Sequence, residues 1–92
     1  MRLLVTPTFE RAVKKLNPRQ KADLDDAVRT IVGNPGIGEA KVGDLAGIQV
    51  YKFRLGNQMS LLAYRVLAED TVKLLMVGPH ENFYRELKRL EN

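Results

Sequence analysis

The chain has one histidine, His80, in the stretch Gly78-Pro79-His80-Glu81-Asn82-Phe83-Tyr84-Arg85. Histidine is the only side chain whose unperturbed pKa, about 6.5, lies near neutrality, so His80 is the best proton carrier the chain offers. Tyr84 follows it at helical spacing, and Arg85, Lys88 and Arg89 continue the series. Upstream, Lys52 and Arg54 alternate with Tyr51, Phe53 and Leu55. A guanidinium forks onto two phosphate oxygens, and an ammonium supplies a point charge. These residue types allow proton transfer beside a bound anion. Each also has a plainer reading. His80 suits a cap or surface position where a helix starts, and Tyr84 suits a core edge. Lys52 and Arg54 suit the solvated face of a strand. The basic stripe Arg85, Lys88 and Arg89 suits a solvated helix face first, and a contact with RNA backbone or a protein partner second.

The elements that must position these residues are legible in the spacing. Met1–Thr6 reads as a short strand of branched apolar residues. Thr6-Pro7 then reads as a cap with proline in the first helical turn, and Phe9, Ala12, Val13 and Leu16 recur at helical period. Asn17-Pro18-Arg19-Gln20 restarts a helix, with Asn17 and Gln20 spaced for a reciprocal capping box. Leu24, Ala27, Val28, Ile31 and Val32 form its inward stripe, and Gly33-Asn34-Pro35-Gly36 ends it. The two helices should form a hairpin. Asn34–Gly47 reads as an irregular glycine-rich loop; it lacks the Lys-Ser/Thr ending of a phosphate loop and opens no helix. Ile48–Leu55, Met59–Leu67 and Thr71–Gly78 read as consecutive antiparallel strands. In the first of these, Tyr51, Phe53 and Leu55 share one face and Lys52 and Arg54 the other. Glu81–Asn92 reads as a short closing helix. The predicted fold is α+β, in the order β-α-α-β-β-β-α. The helical hairpin packs on one face of a small, mainly antiparallel twisted sheet, and the other face stays open to solvent or a partner.

A length of 92 residues predicts one domain over residues 1–92. The absence of cysteine excludes a disulfide scaffold, a thiolate zinc site and a cysteine nucleophile. No second histidine and no His/Asp cluster suggests a metal site, and no cofactor is expected. The formal net charge of +4 permits a nucleic acid or an acidic protein as partner. No apolar run approaches membrane-spanning length, and the opening residues are too soon interrupted for a signal peptide. A cytoplasmic protein without membrane contact is the expectation.

The element order, the "VYKFRL" strand, the "LLAYRV" strand and the "VGPHENFYRELKR" tail resemble the RelE/ParE superfamily of toxins from bacterial type II toxin–antitoxin modules. The tail is similar to the histidine-bearing RelE-like members. The resemblance covers almost the whole chain and implies a microbial-ribonuclease-like fold. It implies an mRNA interferase that cleaves messenger RNA on the ribosome and is held inactive by a cognate antitoxin. By this resemblance Lys52 and Arg54 grip RNA phosphates, with Arg54 also in the catalytic set. His80 acts as general acid or base, and Tyr84 stacks on a base or aids proton transfer. Arg65, Arg85 and Lys88 are further RNA-binding candidates. One departure stands out. Where many such toxins carry an arginine that stabilises the cleaved phosphate, this chain has Leu61. Arg65 shares the face of Leu61 but lies about 13 Å along the strand. Glu81 is a possible second proton carrier, though an exposed glutamate titrating near 4.3 serves poorly. Two other readings remain: a ParE-like toxin that poisons DNA gyrase by protein–protein binding, and a non-toxic member that only binds its antitoxin or operator DNA.

Overall fold

A computed structural model describes residues 1–91. Its strands are β1 (Arg2–Val5), β2 (Glu39–Ala40), β3 (Gln49–Leu55), β4 (Gln58–Ala68) and β5 (Thr71–Pro79). Its helices are α1 (Pro7–Lys14), α2 (Pro18–Gly33) and α3 (Phe83–Glu91). The expected closing helix ran on to Asn92, which lies outside the described residues. The five strands form one sheet in the order β1-β5-β4-β3-β2. β1 runs parallel to β5, and the other neighbours are antiparallel. The α+β class, the helical hairpin and the mainly antiparallel sheet agree with expectation. Among the described residues, no helix is long and apolar enough to cross a membrane.

Local chemistry explains the helix starts. The Thr6 hydroxyl accepts from Phe9 N at 3.0 Å, capping α1. The same hydroxyl donates to the carbonyl of Leu75 at 2.6 Å. Leu75 is the extra residue of a bulge, because Ala63 pairs with Met76 while Tyr64 pairs with Leu74. One side chain thus caps a helix and satisfies a carbonyl that the bulge frees. At α2, Asn17 Oδ1 accepts from Gln20 N at 2.8 Å and Gln20 Oε1 accepts from Asn17 N at 2.9 Å. That is the reciprocal capping box. The α2 stripe Leu24, Ala27 and Ile31 packs with Phe9 of α1 on Phe53, Leu55, Leu62, Tyr64 and Val72. At roughly 1.5–3 kcal/mol per large apolar side chain buried, this layer supplies much of the folding force.

Two expectations are corrected. The glycine-rich segment is not wholly irregular, because Glu39 and Ala40 pair with Val50 and Gln49 as β2. Nor does the second sheet face lie open. Phe83 and Leu87 of α3 and Leu45 of the Gly43–Leu45 turn pack on Ile48, Val50, Leu61, Ala63, Leu75 and Met76. The physical reason is that β4 and β5 are apolar on both faces: Leu61, Leu62, Ala63 and Tyr64 are all buried in succession. A strand buried on both faces needs a layer on each. The amphipathic α3 provides the second one.

Candidate active site

Alternation along β3 places the cations. Phe53 and Leu55 face the helical hairpin, whereas Val50 faces α3. Lys52 and Arg54 therefore share the α3 face, where they lie beyond the covered core and are exposed. The ladder aligns Lys52 with Leu61, and Leu61 with Gly78. At about 4.8 Å per strand, Lys52 and Gly78 lie about 10 Å apart across the sheet. Leu61 sits between them, buried at 3% exposure. Arg54 lies two rows along, opposite Met59 and level with the turn after Pro79, and also borders a groove with Asp23, Asp26 and Thr30 of α2.

His80 lies in the turn between β5 and α3, not within the helix. Its carbonyl accepts from Phe83 N at 3.2 Å, and Asn82 turns the chain at φ 61°. Its ring meets Tyr84 edge-to-face, with centroids 5.9 Å apart and planes at 78°. Tyr84 in turn meets the buried Phe83 at 5.6 Å and 84°, which anchors it to the core. Such pairs contribute about 0.5–1.5 kcal/mol beyond burial, so Tyr84 fixes where the His80 ring stands. Tyr84 is only partly buried.

The residues that sequence reasoning missed are Glu39 and Lys41. Lys41 Nζ lies 4.9 Å from the Tyr84 ring centroid, in cation–π range. It also forms an ion pair with Glu39. Glu39 pairs with Val50, so its side chain shares the face of Lys52. Its carboxyl is held below the usual carboxylate value, chiefly by the hydrogen bond from Lys41, then by the Lys41 charge, with a smaller pull from Lys52. The Lys41 ammonium is raised above its ordinary value, first by its bond to Glu39 and then by Tyr84. Both groups are therefore charged at neutral pH. Glu39, Lys41, Tyr84 and His80 form one series of contacts across the α3 face of the sheet, with Lys52 adding a weaker charge effect on Glu39. Glu39-Ala40-Lys41 does alternate as Lys52-Phe53-Arg54 does, but over three residues in a glycine-rich stretch the pattern carries no signal.

The remaining candidates divide. Lys88 joins the group, because it lines a groove of about 350 Å³ together with Lys41, Val42, Asp44, Leu45 and Tyr84. Arg85 is exposed on α3. Arg65 is held elsewhere. Its Nε and Nη2 donate to Glu91 Oε1 at 3.1 and 2.9 Å, and its Nη1 donates to the Ala46 carbonyl at 3.3 Å. It clasps the end of α3 to the loop before β3. Gly47, at φ 88°, leaves it room, since a Cβ there would lie 2.6 Å from Nη1. Among the described residues, no group of three or more His, Cys, Asp or Glu side chains could hold a metal ion. The arrangement can hold an anion with lysine ammonium groups and bring a proton carrier to its side.

A family model described as the ParE-like toxin of type II bacterial toxin–antitoxin systems matches residues 3–88. No curated protein sequence matches the chain significantly. Among solved structures, free E. coli RelE carrying two arginine-to-alanine substitutions is similar at TM-score 0.72 and 19% identity, over 95% of this chain and 90% of that one. The intact E. coli RelBE toxin–antitoxin complex gives 0.70 and 21% identity, over 87% and 96%. The RelBE2 toxin–antitoxin complex of Mycobacterium tuberculosis gives 0.65 and 29% identity, over 86% and 96%.

Proposed function

Since the chain belongs to the ParE-like toxins of type II bacterial toxin–antitoxin systems, we propose that it is an mRNA interferase, an endoribonuclease that cuts messenger RNA on the ribosome. The observation that carries this reading is the edge-to-face contact of His80 with Tyr84, whose ring also meets the Lys41 ammonium. In the proposed reaction the ribose 2′-oxygen attacks the adjacent phosphorus and the bond to the 5′-oxygen breaks. A 2′,3′-cyclic phosphate and a free 5′-hydroxyl result. The attacking hydroxyl loses a proton and the leaving oxygen gains one, and His80 is the group suited to carry it. Lys52 and Arg54 bind the backbone on the exposed part of β3, and Tyr84 stacks on a base or steadies His80. Lys88 and Arg85 extend the basic rim along α3. Arg65 serves this reading only if it leaves Glu91. RelE-type structures are solved with their antitoxins, and a cognate antitoxin is the natural partner of this chain, neutralising the Lys52/Arg54 face.

The test is cleavage mapping on stalled ribosomes with the purified protein and its His80→Ala variant. Cleavage should fall by about 10²–10⁴-fold in the variant, the usual contribution of a general acid or base, while antitoxin binding is kept. A variant that cuts at the wild-type rate overturns the role of His80. A wild-type protein that leaves mRNA intact and inhibits DNA gyrase supercoiling overturns the nuclease reading itself.

A further inference from the structure

We propose that Lys41 is a catalytic residue of this site: its ammonium bonds a non-bridging oxygen of the scissile phosphate and stabilises the charge that accumulates there. This rests on the nuclease reading above and deepens it. The transition state gathers negative charge on phosphorus-bound oxygens next to the proton carrier, so a cation is needed beside His80. The position between Lys52 and Gly78 is filled by the buried Leu61, which offers none. Arg65 is bonded to Glu91 and the Ala46 carbonyl. Arg54, opposite Met59, is level with the His80 turn along the ladder, but it borders the groove of Asp23, Asp26 and Thr30 of α2. Lys41 lies against Tyr84, and Tyr84 lies against His80, so it reaches the proton carrier through a single intervening ring.

Its present partner does not block the role. The Glu39 side chain is 75% exposed and that of Lys41 21%. A surface pair of this kind contributes little, so a phosphate can displace the carboxylate into solvent. The phosphate then takes the place of the carboxylate as the anion beside Lys41, which keeps the ammonium protonated while the reaction proceeds. Lys41 therefore gains and loses no proton. The 2′-oxygen–phosphorus bond forms, the phosphorus–5′-oxygen bond breaks, and the proton exchange is left to the acid–base group.

The test is single-turnover cleavage on stalled ribosomes with wild type, His80→Ala, Lys41→Met and Lys41→Arg. Lys41→Met keeps an apolar stem near Tyr84 and removes the charge. Its maximal rate should fall about 10²–10³-fold, as for loss of one charge-stabilising donor. The half-saturating ribosome concentration and the shape of the pH profile should stay as in wild type, and Lys41→Arg should recover most of the rate. A sulfur substituted for one non-bridging oxygen of the scissile phosphate should slow wild type in one stereoisomer and leave Lys41→Met indifferent. Wild-type rates in Lys41→Met overturn the proposal. So does a slowed variant that keeps the stereoisomer preference and is not rescued by arginine, since the lysine would then only prop Tyr84. If wild type cleaves, His80→Ala does not and Lys41→Met does, this proposal alone fails. If wild type cleaves nothing, the nuclease reading fails first.

Discussion

Leu61 is a structural residue at a position surrounded by proposed chemistry. Its side chain is buried at 3% exposure among Val50, Ala63, Met76, Phe83 and Leu87. Its ladder neighbours on either side are Lys52 and Gly78. Truncating a buried leucine loses transfer free energy and leaves a cavity, so Leu61→Ala should cost about 2–5 kcal/mol in urea unfolding. A change under about 1 kcal/mol would show that the second core closes around the gap or does not depend on it. An arginine at this position would have to bury an unpaired charge or open the α3 layer, so a cation must come from another element. Here the sequence was informative in one direction only. Lys52 and Arg54 were legible because alternation with Phe53 and Leu55 fixes their face. Lys41 and Glu39 were not, because a two-residue strand in a glycine-rich stretch is too short to display a period.

At the scale of elements, Tyr64 shows why the middle of the chain was hard to read. It lies on β4 at 0% exposure, and its hydroxyl reaches three segments. It donates to the Pro35 carbonyl at 2.6 Å, accepts from Gly38 N at 2.9 Å and meets Gln49 Oε1 at 3.0 Å. The run from α2 to β3 is thus tied down by one side chain about thirty positions away in sequence, and nothing in its own composition reveals that. The close fit also requires glycine at position 38, where a Cβ would lie 2.7 Å from the hydroxyl. Tyr64→Phe keeps the ring and leaves the Gly38 N–H and Pro35 C=O without this partner. It should cost about 1–3 kcal/mol. Burial also raises the Tyr64 phenol above its ordinary 10.0, partly offset by the bond from Gly38. The unfolded chain then ionises first. The stabilisation is complete below pH 10 and declines as pH rises toward the folded-state value. Unfolding midpoints at pH 8 and just above pH 10 should therefore converge between wild type and Tyr64→Phe. A gap that stays constant across that range would mean the phenol ionises equally in both states. The helices and long strands, by contrast, were legible almost to the residue. Caps, prolines and apolar period agree at α1 and α2, and such agreement between local signals is what makes an element readable.

At the scale of the whole molecule, one sheet carries two apolar layers, and the cations are left to its free end and to the outer faces of the helices. The parallel pairing of β1 with β5, and the closing of the second face by α3, are long-range outcomes that period alone does not reveal. The net charge of +4 attracts a polyanion from any direction, so the total does not say which cations touch it. Counterion release does. Each cation that neutralises a phosphate of a single-stranded RNA adds about 0.7 to the slope of log affinity against log salt. Lys52 is exposed on β3, beyond the α3 layer. Lys52→Gln should lower the slope by about 0.7 for a short RNA oligonucleotide titrated across a potassium chloride series. Arg65 carries the same charge, but its guanidinium is bonded to Glu91 and Ala46. A cation already paired releases no counterion when RNA arrives, so Arg65→Gln should leave the slope unchanged. It should instead loosen the end of α3, seen as faster amide exchange there. If both variants lower the slope equally, Arg65 abandons Glu91 for phosphate, and the clasp on α3 opens when RNA binds.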